Sequence, residues 1–423
     1  MAENTYSIEE FKVIPLSGDL DEFNLREGVI TFEYYENILS PSVTAKVIFS
    51  ASDSIGTKSG DIEIFGGEQV LFEIGVPSFD NLDFTSNGLN VRKISADKTG
   101  RQGIYVLELV SGESISNETA RVVKRYDKKI EESVKDILTN VLKTSKNVKT
   151  DSTFNKYSFI GNTRRPFDVI TWLCPKSVPG DNGTPGFFFY ETQDGYNFLS
   201  ANNLLKGGGG TFDTPYIQAE NRGNPGDPKN RFKVIESNIT KNNDILLSLR
   251  LGMYSNNSLF YNIWDNTYEP VKFSLKEDGF GKNQKLATSA NVKGKSAAPK
   301  LPDGLEDYPS RYLVKALDVG NLTPEGQLET KENLPKYQAV SSVRYSLLYS
   351  QVLNIIIPCN TKLRAGQLIE CELPKPSSSK NKNTESTASG KYVIASLCHK
   401  FDQNRRAFTS LTLIKDSYEY VTT

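Results

Sequence analysis

The sequence is poor in the residues on which most catalysis depends. Among 423 residues there is one histidine, His399. A multi-histidine metal site is therefore excluded, and Ser-His-Asp or Cys-His chemistry would have to use that single imidazole. The four cysteines, Cys174, Cys359, Cys371 and Cys398, include no C-x-x-C pair, the spacing of many zinc and redox sites. No basic and then apolar leader follows Met1, so the expectation is synthesis in a reducing cytosol with the cysteines as small buried hydrophobes. No apolar run approaches a membrane span, and membrane insertion is not expected. Charge of one sign is also missing. Lys and Arg number 50 and Asp and Glu 51, a net charge of -1, without the overall basic excess of proteins that grip nucleic-acid phosphate. Gly and Pro are at an ordinary level, which excludes collagen-like or wholly disordered chains.

What is present is strand-forming sequence. Residues 30–35 (ITFEYY), 45–49 (AKVIF), 69–74 (QVLFEI) and 104–110 (IYVLELV) combine β-branched and aromatic residues between turn-forming clusters, and they read as strands of a sandwich or barrel. The period then changes. Ile130, Val134, Ile137, Leu138, Val141 and Leu142 share one face of a helix. A second helix is expected to open at Pro166 and bury Phe167, Ile170 and Leu173. Aromatic runs at 187–190 and 196–199 flank Asp194-Gly195, a hairpin signal. Strands are expected again at 232–236, 245–251 and 268–275, and residues 276–310 read as an exposed loop. A helix is expected over 335–352, followed by strands at 352–357, 367–373, 392–399 and 408–414, with a long hairpin loop at 375–390.

Two stretches repeat in the same order. Residues 67–74 (GEQVLFEI) match 366–373 (GQLIECEL), each followed by or close to a proline. Residues 103–107 (GIYVL) then match 390–394 (GKYVI). Shared order over two elements favours duplication of a β unit. The organisation expected is mainly β with α+β insertions: two related tube-like β-barrel domains and two smaller accessory domains. The first barrel covers 1–112, an α+β domain 113–232, the second barrel 233–250 and 340–418, and an inserted domain 251–339.

Candidate chemistry is thin. Gly294-Lys295-Ser296 copies the end of a phosphate-binding loop, but Ser289 stands where the motif needs glycine. The run 207–210 (GGGG) has no helix after it to complement a phosphate and reads as a linker. Glu191 and Asp194 could act as the acid and nucleophile of a glycoside hydrolase, although Asp194 is already the residue before a turn glycine. Adjacent Cys398 and His399 cannot form a dyad in a strand because they point to opposite faces. Lys276, Lys282, Lys285, Lys293, Lys295 and Lys300 make one loop basic, with only Phe280 to stack on a base. No catalytic, cofactor-binding or metal residue is assigned, and no cofactor is expected.

Several segments in order resemble the central baseplate hub protein of contractile-tailed bacteriophages: 28–39 (GVITFEYYENIL) with 43–49, 105–118 (YVLELVSGESISNE) and the helix at Ile130. The resemblance continues through Arg165-Pro166-Phe167 with Trp172-Leu173, 188–198 (FFYETQDGYNF), 357–369 (IPCNTKLRAGQLI) and 409–417 (TSLTLIKDS). Cys359 stands where such proteins are expected to carry glycine. The resemblance implies a homotrimeric ring in the virion tail baseplate, joining a threefold central spike to a sixfold tail tube or its initiator. Two related barrels in each of three chains would supply six equivalent modules. It further implies contacts with other baseplate proteins and a channel that passes DNA without specific binding, which a near-neutral charge suits. The family's hub is not an enzyme. The alternatives are a tail-associated glycan or peptidoglycan hydrolase using Glu191, and a carbohydrate-binding adhesin.

Overall fold

The structure is a computed structural model that describes residues 5–16, 22–51, 64–77, 79–99, 102–218, 228–242, 244–263, 266–275, 295–297, 308–317, 334–374, 388–416 and 418–420. The N-terminal segment is all strand: β1 (Ser7–Ile14), β2 (Phe23–Asn24), β3 (Val29–Asn37), β4 (Thr44–Ala51), β5 (Gln69–Gly75), β6 (Leu82–Asp83), β7 (Leu89–Thr99) and β8 (Gln102–Ser111). Alternation turns Phe11, Val13, Val70, Phe72 and Ile74 into one core and leaves Glu10, Lys12 and Glu73 outside, the period of two that half-buried strands require. The strands β3, β4, β5 and β8 stand where the sequence places them. The sequence reading misses β1 and β7, whose charged outward residues mask their inward ones.

The middle segment holds α1 (Gly112–Thr119), β9 (Arg125–Tyr126), α2 (Ile130–Asp136), β10 (Val148–Thr150), β11 (Phe159–Ile160), α3 (Pro166–Leu173), β12 (Phe187–Thr192), β13 (Gly195–Ser200), α4 (Ala201–Leu205) and β14 (Thr211–Ile217). The expected helix at Ile130 is present, but it widens into a π-helical turn over Ile137–Val141. Pro166 opens α3, as expected. The β12–β13 hairpin turns at Gln193 and Asp194, with Thr192 opposite Gly195. Gly195 has φ +120°, and a Cβ there would lie 2.3 Å from the Asn147 carbonyl oxygen, so only glycine fits.

The remainder holds β15 (Glu236–Asn242), α5 (Ile245–Arg250), β16 (Ser255–Asn262), β17 (Thr267–Ser274), β18 (Lys295–Ala297), β19 (Arg311–Ala316), α6 (Leu334–Leu348), β20 (Gln351–Pro358), β21 (Leu368–Glu372), β22 (Gly390–Asp402), β23 (Ala407–Lys415) and β24 (Tyr418–Tyr420). Three expectations are corrected. The strand expected at 245–251 is helix α5, because the Asp244 side chain accepts from the Leu247 N–H at 2.9 Å and caps a helical turn. The strand expected at 232–236 begins only at Glu236, after a 3-10 turn over Pro228–Phe232. Helix α6 stops at Leu348, and β20 begins at Gln351. Lys295 and Ser296 lie in strand β18, paired with β24, not at the start of a helix as a phosphate loop requires. The Lys loop's other lysines lie outside the described residues, as does most of 375–390.

The core strands fall into two groups that run in one order. The first is β1-β5-β7-β8-β4-β3 and the second β14-β21-β22-β23-β20-β15. Taken in chain order, the first, fourth, fifth, sixth, third and second strand of each group follow one another across the sheet. The groups differ in one pairing: β1 and β5 are antiparallel, β14 and β21 parallel. Of the two sequence matches, β5 and β21 hold the same place in both groups. The other match is displaced by one strand, since 103–107 lies in β8 and 390–394 in β22, whose counterpart is β7. Neither group closes into a barrel among the described residues. Instead they merge: residues 31–37 of β3 pair antiparallel with residues 396–402 of β22, making one fourteen-stranded sheet. A single apolar core, from Phe11, Phe32 and Phe72 to Ile355, Phe401 and Leu411, runs through both.

Candidate functional site

The most distinctive chemistry of the molecule lies where the two strand groups meet the middle segment. Glu36, near the end of β3, is 1% exposed. Its Oε1 accepts from the Gln193 N–H at 2.8 Å and the Tyr34 hydroxyl at 2.9 Å, and its Oε2 accepts from the Ala365 N–H at 2.8 Å. One carboxylate thus ties the first group, the β12–β13 turn and the second group. Burial pushes its pKa up, while the Arg364 guanidinium and the three donors pull the other way. Arg364 also faces Asp194 at 3.2 Å.

Glu191, the residue a hydrolase would need, is equally buried. Its Oε2 accepts from the Val43 N–H at 2.9 Å and its Oε1 from Lys146 Nζ at 2.7 Å. The same ammonium reaches Glu113 at 2.6 Å. Burial raises the Glu191 pKa, opposed by Lys146. For Glu113 burial also pushes up, but Lys146 and the Thr144 hydroxyl outweigh it and the direction is down. Burial alone would lower Lys146, and the two carboxylates reverse it. A cavity of about 210 Å³ opens beside these groups, lined among others by Asp83, Asn87, Lys146, Glu191, Gln193 and Asp194. Both Glu191 oxygens are engaged by the protein and Asp194 faces Arg364, an arrangement that holds segments together and leaves no free acid and nucleophile pair. Gly366 belongs to the same junction: its φ is +84°, and a Cβ would lie 2.1 Å from the Tyr190 hydroxyl.

His399 is brought to Cys359, not Cys398. Its Nδ1 lies 2.8 Å from Thr409 Oγ1 and 3.9 Å from Cys359 Sγ, and its ring stacks on Tyr34 at 6.0 Å. Burial first, and then the Arg364 charge, push the imidazole down to about 3, while burial pushes the Cys359 thiol up to about 12. Both stay neutral, the reverse of the thiolate–imidazolium pair of a cysteine nucleophile. Cys359 has no left-handed backbone angle, so its turn does not need a glycine. Among the described residues no group of three or more His, Cys, Asp and Glu could hold a metal, and no helix is long and apolar enough to cross a membrane. The run 207–210 follows α4, and Gly209 packs against the Gly366 carbonyl, which makes it a close-packed turn.

Sequence reasoning missed Glu36 because 33–37 (EYYEN) reads as an ordinary strand with polar outward residues. The signal lay in the alternation, which places Glu36 on the inward face with Phe32 and Tyr34.

Solved structures of tail proteins match nearly the whole chain. One is the tail protein from Neisseria meningitidis MC58, with TM-score 0.56 and 9% identity over 97% of this chain and 97% of that one. Another is the 43 kDa tail protein of prophage MuSo2 from Shewanella oneidensis, with TM-score 0.55 and 9% identity over 96% and 98%. No protein-family model matches the sequence, and neither does any curated protein. The chain therefore has a fold shared with these tail proteins: mainly β, built on large antiparallel sheets.

Proposed function

We propose that this protein is a structural hub of a phage tail baseplate, a trimeric ring that joins a threefold central spike to a sixfold tail tube and leaves a channel for DNA. The observation that carries this reading is the likeness of fold to two tail proteins over almost the full length of each chain. The two strand groups of identical order support it: three copies would present six equivalent modules, a means of matching threefold to sixfold symmetry. The buried junction at Glu36 and Glu191 suits a rigid part that works through its surfaces and not by turnover. Its place would be the virion tail, in contact with spike, tube and other baseplate proteins.

Cryo-electron microscopy of tails assembled with the chain tests this reading. Three copies ringing the axis at the tail tip are expected; location along the tail shaft, or on peripheral fibres, would overturn it. Glu191→Gln addresses the hydrolase. Cell-wall release by tails carrying the variant should equal wild type, and a specific loss of lysis in normally assembled tails would sink the structural reading.

A further inference from the structure

The near-zero net charge hides two segments of opposite sign. Residues 120–165 hold twelve Lys and Arg against five Asp and Glu, whereas residues 1–112 hold eight against eighteen. The two ends of the basic segment pair as a two-stranded ribbon, with α2, the π-helical turn and β10 between them. Its β9 and β11 pair, and bridges at Lys129 with Lys156 and Val122 with Arg164 extend the ribbon at both ends. Arg125, Lys128, Lys156 and Arg164 are exposed along it and have no carboxylate partner among the described residues. Between the cations the ribbon is apolar: Val123 and Ile160 are exposed. A hollow of about 100 Å³ lies against Phe159, Val169 and Trp172.

The acidic segment has the complementary make-up. On the outer face of its sheet Glu10 stands opposite Glu73, and Glu73 opposite Asp83. Facing like charges weaken a sheet unless something else balances them. Glu73 accepts from the Asn81 amide and Asp83 from Thr85, and among the described residues neither has a cation partner. Leu71 is partly exposed on the outer face of the same strands, next to Glu73. No described ion pair links this row to the ribbon within one chain.

We infer that the basic ribbon over 121–164 docks on the acidic outer face of β1, β5 and β6 of a second copy, head to tail. Such a heterologous contact closes into a ring when its rotation allows, and charge complementarity around an apolar centre sets register and partner. The inference rests on the reading of the chain as a ring-forming hub and names the surfaces by which copies meet.

The test is charge reversal on the full chain, read by light scattering across protein concentration and salt, with circular dichroism to confirm folding. Wild type is expected to reach three-chain mass and to dissociate as salt rises. Arg125→Glu with Lys156→Glu should leave folded single chains, as should Glu73→Lys with Asp83→Lys. The chain carrying all four changes should regain the wild-type mass, because both faces have swapped sign. Ring formation by either two-residue variant at the wild-type concentration would overturn the inference while leaving the hub reading intact. Failure of the four-residue variant to assemble although folded would also overturn it. Wild type that stays monomeric throughout, both alone and mixed with the spike, would remove both. If ribbon reversal spared assembly but abolished retention of duplex DNA, the ribbon would be a nucleic-acid surface and the inference wrong.

Discussion

Glu36 is a buried charge whose removal cannot be repaired by water. Three donors converge on it from three parts of the chain, and Glu36→Ala would leave the Gln193 and Ala365 amides without acceptors. The expected loss is about 3 kcal/mol of stability, the scale for breaking a buried, fully hydrogen-bonded charge, read as a lower denaturant midpoint. His399 gives a pH dependence of defined sign. Its folded pKa lies at about 3, below the 6.5 of the free imidazole, so the unfolded chain binds the extra proton first. Its contribution is complete above pH 6.5 and is lost as pH falls towards 3. Denaturation at pH 7, 5 and 4 should show wild type losing more stability than His399→Gln over that window. Neither residue announces its role in sequence. Glu36 looks like a polar strand residue, and the partner of His399, Cys359, lies 40 positions away.

At the scale of elements, legibility followed periodicity. Helix α3 and the Asp194-Gly195 hairpin were readable because proline at a helix start and glycine at a turn carry local backbone information. Residues 245–250 (ILLSLR) were misread, since a short apolar run has no period to separate helix from strand. The deciding signal was Asp244, a capping residue directly before the run. Asp244→Ala is expected to cost about 1 kcal/mol, seen as a small fall in thermal midpoint, with β16 and its neighbours otherwise intact. The pairing of β3 with β22 had no local signal at all. The repeat was visible in β5 and β21 because both carry the same inward pattern after a glycine, but its second match slipped by one strand, because tyrosine and valine are favoured in strands generally and do not mark one place in the sheet.

For the whole molecule, summing charge over 423 residues concealed what summing by segment reveals. The overall fold class, mainly β, could be read from composition and turn spacing. The merging of the two strand groups into one sheet could not, because contacts between residues hundreds of positions apart leave no spacing to read. If the chain forms the proposed ring, light scattering of the protein mixed with its spike partner should give a three-chain hub, with single chains only at high salt. Monomers under every condition would count against the ring.

The seam between β3 and β22 also has a consequence in time. The first strand is made within the first forty residues and the second only after residue 389. At a synthesis rate of about 5–20 residues per second, the free edge of β3 waits on the order of 20–70 s for its partner. During that interval the nascent first half displays unpaired backbone along Thr31 to Asn37, a template for any other strand nearby. A crowded ribosome making many copies would bring such edges together. Glu33, which in the finished protein meets Lys400 at 2.9 Å, is a charge on that edge that would then lack its partner and keep like edges apart.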